Sequence, residues 1–167
     1  FDEVLGESAY NEQLPGVVGQ LLQHKLATES DQAVIITVPE TEHKSIAGTT
    51  LVIRKKDGAF LYGTTDLATL EYRQERWNPK RIIYVTDTRQ QLHFKQVFWS
   101  WNKWRELRGE SADQMTTPRL EHVWFGMLKL TEGAMSTRKG NVIRLVDLLD
   151  EAVRRAKAVA DSKSASL

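Results

Sequence analysis

With 167 residues, 41% of them hydrophobic and 27% charged, the chain is long enough for one cored domain with an appended subdomain, and its balance excludes a disordered or membrane-embedded protein. Its 23 basic and 22 acidic residues leave a net charge of +1, so no global field draws it onto nucleic acid and any such contact is local. The absence of cysteine rules out disulfides and thiolate metal sites and suits a cytoplasmic protein, and no apolar run approaches the roughly 18 residues of a membrane span. The opening Phe1-Asp2-Glu3-Val4 has neither an initiator methionine nor a signal-peptide pattern, and reads as a piece of something longer.

In residues 8 to 26 the apolar positions Tyr10, Leu14, Val17, Val18, Leu21 and Leu22 follow helical spacing, with Pro15-Gly16 marking a turn or a helix start. The β-branched runs Ala33 to Val38 and Thr50 to Arg54 predict two strands, and the turn Lys55-Lys56-Asp57-Gly58 leads to a third, Ala59 to Tyr62. Residues 1–57 thus read as a small α+β insertion-like unit. From residue 58 to 160 strand and helix alternate, as expected of a parallel α/β layer. Asp66 to Trp77 is helix-like, and Arg81 to Thr86 is a buried-strand run. Gln91 to Leu107 is a helix with Phe94, Val97, Phe98, Trp101 and Trp104 on one face. A loop, 109 to 118, precedes a strand from Leu120 to Leu130, and Asp147 to Ala160 closes as an amphipathic helix. The tail 161–167 is expected to fray.

Parallel sheets bind ligands beyond the carboxyl ends of their strands, which directs attention to residues 62 to 66, 86 to 93 and 131 to 140. The last is basic and glycine-flanked: Gly133, Met135, Ser136, Arg138, Lys139 and Gly140 could bring donors and positive charge onto phosphates, or form an ordinary basic hairpin. It lacks the ending of a Walker loop. In the first segment, Tyr62 and Asp66 offer an aromatic hydroxyl and a carboxylate four residues apart, suited to a guanidinium fork; equally, Asp66 could cap a helix and Tyr62 could be core. The second, Thr86-Asp87-Thr88-Arg89-Gln90-Gln91-Leu92-His93-Phe94, joins a strand end to a helix start, where unpaired backbone N–H groups favour anions. His93 could instead be satisfied by packing or a backbone carbonyl. Trp101 and Trp104, at helical spacing, read as core, and Trp99 as a packed or interface residue.

Taken together, Tyr62-Gly63-Thr64-Thr65-Asp66, Gln90 with His93-Phe94, His122-Val123-Trp124-Phe125-Gly126 and Gly133 to Gly140 resemble the later half of the catalytic domain of the arginyl-tRNA synthetases. The resemblance runs from Phe1 to about Arg155. It implies a partial Rossmann-like α/β fold, with ATP and Mg2+ as substrate and no permanent cofactor or metal site. Arginine and tRNA are the partners it implies. It puts Tyr62, Asp66 and Gln90 on arginine, Asp87, His93, His122, Phe125, Gly126 and Met135 near ATP, and Ser136, Arg138 and Lys139 on the departing phosphates. The Lys-Met-Ser-Lys-Ser signature of class I synthetases is altered here: Met135 and Ser136 match, while its lysine positions hold Ala134 and Thr137. The histidines are His24, His43, His93 and His122, so the chain contains no His-x-Gly-His run. The expectation is a catalytic-domain piece, inactive alone and prone to self-association through exposed sheet edges. The alternatives are a piece of another class I synthetase, against which Asp66 argues, and a noncatalytic nucleotide- or RNA-binding paralogue.

Overall fold

The computed structural model describes residues 1–110, 117–126, 129–130, 133–134 and 144–164. They fall into two units, Phe1–Gly126 and Met127–Leu167.

In the first unit a 3-10 turn, Glu7–Tyr10, leads into helix α1, Leu14–Gln23, which buries Leu14, Val17, Val18 and Leu21. Pro15 lies in its first turn, where a missing N–H costs no hydrogen bond. Strands β1 (Thr28–Ser30), β2 (Ala33–Thr37) and β3 (Thr50–Arg54) form an antiparallel sheet in that order. The β1–β2 hairpin turns through Asp31 and Gln32, both at positive φ (48° and 65°), the geometry that matches strand twist. Val34, Ile36, Leu51 and Ile53 bury one face of the sheet. All three residues of β1 are exposed, so no hydrophobic alternation announces it.

The strand expected at Ala59 to Tyr62 does not form. Only an isolated Arg54–Phe60 bridge remains, and helix α2 runs Tyr62–Trp77, so the helix expected from Asp66 starts a turn earlier. Two contacts explain this. The N–H groups of Thr64 and Thr65 both turn back to the Leu61 carbonyl, and the buried Thr64 hydroxyl donates to the Ile53 carbonyl of β3. A Cβ on Gly63 would stand 3.0 Å from Leu51 Cδ1, so glycine lets the first turn lie close over the sheet.

Strands β4 (Arg81–Asp87) and β5 (Arg119–Phe125) pair in parallel, from Arg81 opposite Arg119 to Asp87 opposite Phe125, and helix α3 spans Gln91–Leu107. Ile82 and Tyr84 turn into the core beside Phe94, Val97 and Trp101 of α3. The alternate positions Ile83, Val85, Val123 and Phe125 are exposed. Strand alternation and helical packing on one face give the expected α/β class. Residue 57 is not a packing boundary, because Val17, Val34 and Ile53 share one cluster with Leu67, Leu70, Val97 and Trp101.

Glu71 joins α2 to α3. Its carboxylate accepts the Trp101 indole N–H at 2.6 Å and both terminal nitrogens of Arg108, whose guanidinium lies 4.3 Å from the Trp104 ring centre. Trp101 and Trp104 are fully buried, as their spacing predicts.

The expected strand from Leu120 to Leu130 ends at Phe125. In the second unit β6 (Lys129–Leu130) pairs antiparallel with β7 (Gly133–Ala134). Helix α4 covers Leu145–Ser164, longer at both ends than the expected Asp147 to Ala160. Glu151 pairs with Arg154 and Arg155 at 2.7 Å, one turn along, which supports the exposed helix.

Truncating the indole that carries both core volume and the bond to Glu71, by Trp101→Ala, is expected to cost roughly 3–5 kcal/mol in chemical denaturation. A loss under about 1 kcal/mol would remove Trp101 from the structural joint.

Candidate functional site

The carboxyl end of β4 opens onto a cleft between α2 and the start of α3. Asp87 ends the strand and caps a 3-10 turn, Thr88–Gln90, by accepting the Arg89 N–H at 2.9 Å. The Arg89 guanidinium closes on the same carboxylate at 2.9 and 3.0 Å. Hydrogen bonds from the Arg89 side chain, then its backbone, hold the Asp87 carboxyl at about 2. Its acceptor capacity is therefore largely committed. The tight turn delivers Gln90 and His93 to the wall opposite α2.

A cavity of about 670 Å³ is lined by Tyr62, Asp66 and Arg73 of α2 and by Asp87, Gln90 and His93, among others. His93 Nε2 lies 2.6 Å from Asp66 Oδ2. The Tyr62 ring meets the His93 ring edge-on, centres 5.5 Å apart at 77°. Tyr62 is 68% exposed, which excludes a purely core role. Leu61 is the residue at the N-cap of α2, which excludes that role for Asp66. His93 is satisfied by a carboxylate rather than by a backbone carbonyl.

His122, on β5, shares a 2.7 Å hydrogen bond with the Thr86 hydroxyl and packs on Phe94, ring centres 4.6 Å apart. Burial, then the neighbouring His93, pushes its pKa below the ordinary imidazole value. Phe125 and Gly126, at the exposed end of β5, stand apart from the cavity lining, as does His122. Met135, Ser136, Arg138 and Lys139 lie outside the described residues.

The structure thus brings together Tyr62, Asp66, Asp87, Gln90 and His93. It adds Arg73, whose guanidinium stands 5.1 Å from the centre of the Tyr84 ring beside the same cavity. Helical spacing could have found Arg73, because Asp66, Thr69 and Arg73 follow one another at three and four residues on α2. Tyr84 carries a buried hydroxyl without a hydrogen-bond partner among the described residues, and burial raises its pKa. Among the described residues no cluster of three or more His, Asp or Glu side chains could hold a metal ion. A second cavity of about 600 Å³, lined by Glu42, Trp99 and Lys103 among others, contains none of the expected residues. No helix of the described residues is long and apolar enough to cross a membrane.

The model of a family described as "tRNA synthetases class I (R), catalytic domain" matches residues 1–166. An arginine–tRNA ligase of Fusobacterium nucleatum is 40% identical over 167 residues, which is all of this chain and 27% of that protein. One from Shewanella amazonensis is 43% identical over 163 residues, 97% of this chain and again 27% of the relative. The chain therefore spans about a quarter of the length of the curated relatives it matches. The crystal structure of an arginyl-tRNA synthetase from Plasmodium falciparum superposes with a TM-score of 0.60 at 27% identity, over 98% of this chain and 25% of that one. The Thermus thermophilus arginyl-tRNA synthetase, at 18% identity, TM-score 0.55 and coverage of 93% and 30%, shares the fold.

Removing the cation that clamps the strand end should release the carboxylate. Arg89→Ala is expected to move the Asp87 titration, followed by carboxyl NMR, from about 2 towards the ordinary value near 4. The folded value lies below the unfolded one, so the pair contributes above about pH 4 and its contribution is lost as pH falls towards 2. An unmoved titration would mean that Arg89 does not hold the group.

Proposed function

The chain belongs to the family of class I tRNA synthetase (R) catalytic domains, and from that premise we propose that the whole protein is an ATP-dependent arginine–tRNA ligase. The observation that carries this reading is the convergence of Tyr62, Asp66 and Gln90, from two helix starts, on one cavity. Guanidinium is planar, permanently charged and strongly donating, so a carboxylate flanked by a ring and an amide is the arrangement that selects it. Asp66 takes the guanidinium, Tyr62 covers it and Gln90 orients the amino acid.

A carboxylate oxygen of arginine attacks the α-phosphorus of ATP. The bond to the bridging oxygen breaks and pyrophosphate leaves, giving arginyl-adenylate. A hydroxyl of the terminal tRNA ribose then attacks the arginyl carbonyl, and AMP departs. Both steps depend on alignment and on stabilising developing negative charge. Magnesium enters with ATP, on its phosphates. The basic loop, through Ser136, Arg138 and Lys139 with Met135 beside them, holds the departing phosphates. Asp87 and Phe125 stand opposite each other at the end of the parallel pair, and with Gly126 they offer a surface for the nucleotide, while His122, bonded to Thr86, lies on the other face of β5. The setting is the cytoplasm, where tRNA, arginine and ATP meet. The isolated chain lacks a His-x-Gly-His run and is expected to be inactive alone, and Ile83, Val85 and Phe125 on its bare sheet favour self-association.

The test is arginine-dependent exchange of pyrophosphate into ATP by the whole protein with its tRNA. Asp66→Ala should lower kcat/KM for arginine roughly 100-fold or more, the cost of leaving a guanidinium unpaired. Unchanged exchange would remove Asp66 from the pocket, and no exchange with any amino acid would favour the noncatalytic nucleotide-binding reading. Lys139→Ala should lower kcat about 10- to 100-fold with little change in the KM for arginine, the mark of a group acting after substrate binds. A change confined to that KM would take Lys139 away from the phosphates.

A further inference from the structure

The hydrogen bond between His93 and Asp66 links α3 to α2 at the floor of the cavity, and both side chains are mostly shielded, 15% and 21% exposed. A carboxylate oxygen only accepts, so Nε2 carries the shared proton and the second imidazole proton, when present, sits on Nδ1. Oδ1 of Asp66 has no hydrogen bond among the described residues, and Asp66 lines the cavity, which leaves that oxygen available to an incoming donor. Asp87 is no substitute, because Arg89 occupies both of its oxygens.

We propose that His93 is a positioning residue for arginine selection: it fixes the Asp66 carboxylate through Nε2, and its protonation state sets how strongly that carboxylate attracts a guanidinium. This rests on the arginine pocket proposed above. With His93 neutral, Asp66 keeps its full negative charge and presents Oδ1 in a fixed orientation. With His93 protonated, the pair is already charge-neutral and an imidazolium stands beside the guanidinium site. The Tyr62 ring packed edge-on against His93 and the Phe94 ring at 5.1 Å hold the imidazole plane, so the histidine has little room to swing away.

Other titratable and charged groups surround this pair. From β5, His122 is close enough that the charge of His93 disfavours its own protonation. Arg73 of α2, Glu7 of the first 3-10 turn, and the Asp87–Arg89 pair line the remaining walls. Asp87 and Arg89 neutralise each other. His93 and His122 are the two imidazoles among these groups. Binding of arginine should expel the Nδ1 proton of His93 to solvent when that proton is present.

The experiment measures arginine binding to the whole protein by titration calorimetry between pH 5 and 8, in buffers of different ionisation enthalpy so that proton release is counted. The wild-type affinity should fall at least about fivefold as pH drops through the imidazole range, with proton release on binding in that range. His93→Gln, which retains a neutral donor, should bind arginine with an affinity that changes less than about twofold across the range and release no proton. His93→Ala should weaken binding about tenfold at the upper end of the range, because Asp66 loses its anchor. His122→Gln, run beside them, should keep the pH dependence. A slope that persists in His93→Gln, or that disappears in His122→Gln, would overturn the proposal. Asp66→Asn separates the two readings: the ring 15N signals of His93 report the lost pairing without any ligand, while arginine affinity reports the pocket. Wild-type affinity together with a shifted His93 signal would overturn the arginine site and leave the pairing real, whereas an unshifted signal would overturn the pairing itself.

Discussion

The bond network around Glu71 is the joint on which the cleft depends. Asp66 and Tyr62 stand on α2, and Gln90 and His93 on or beside the start of α3, so the cleft exists only while the two helices keep one relative placement. Glu71 fixes that placement from the α2 side by accepting from Trp101 and Arg108 together. Buried aromatic volume at Trp101 and Trp104 supplies the apolar part of the joint, and the guanidinium of Arg108 lies on the second ring. A carboxylate with two donating side chains, beside buried indoles, tolerates little sliding, because any shift breaks a directional bond and opens a void.

On that frame the cavity divides its charges into pairs. Arg89 is spent on Asp87 at the strand end, which stiffens the turn carrying Gln90. His93 is spent on Asp66, on the opposite wall. The two pairs differ in kind. The first joins residues two apart in one turn, with the guanidinium exposed, whereas the second joins shielded groups 27 residues apart on two helices. In the proposed arginine pocket, one carboxylate serves architecture, and the other keeps an oxygen that has no hydrogen bond among the described residues.

Within the first unit, among the described residues, the parallel sheet is covered by packing on one face only. Ile82 and Tyr84 meet α3, while Ile83, Val85, Val123 and Phe125 are exposed. Parallel sheets are ordinarily buried on both faces. The chain spans about a quarter of its curated relatives, so a bare face is consistent with a domain whose other elements lie elsewhere in those longer proteins.

Some of this was legible in the sequence. The Phe and Trp spacing defines α3, and the β-branched run defines β4, because both elements are set by local periodicity over many residues. The motif resemblance singles out Tyr62, Asp66 and Gln90, which line one cavity in the structure; their role on arginine is the proposal. Tertiary structure decided the rest. β1 forms by pairing alone, with no apolar residue to mark it. α2 begins at Tyr62 rather than Asp66 because Thr64 bonds to a carbonyl 11 residues earlier. Strand β5 stops at Phe125, where its partner β4 ends at Asp87. The pairing of His93 with Asp66 spans 27 residues and two helices. Local sequence fixes which groups a segment offers, but contacts between segments fix which of them remain available to a ligand.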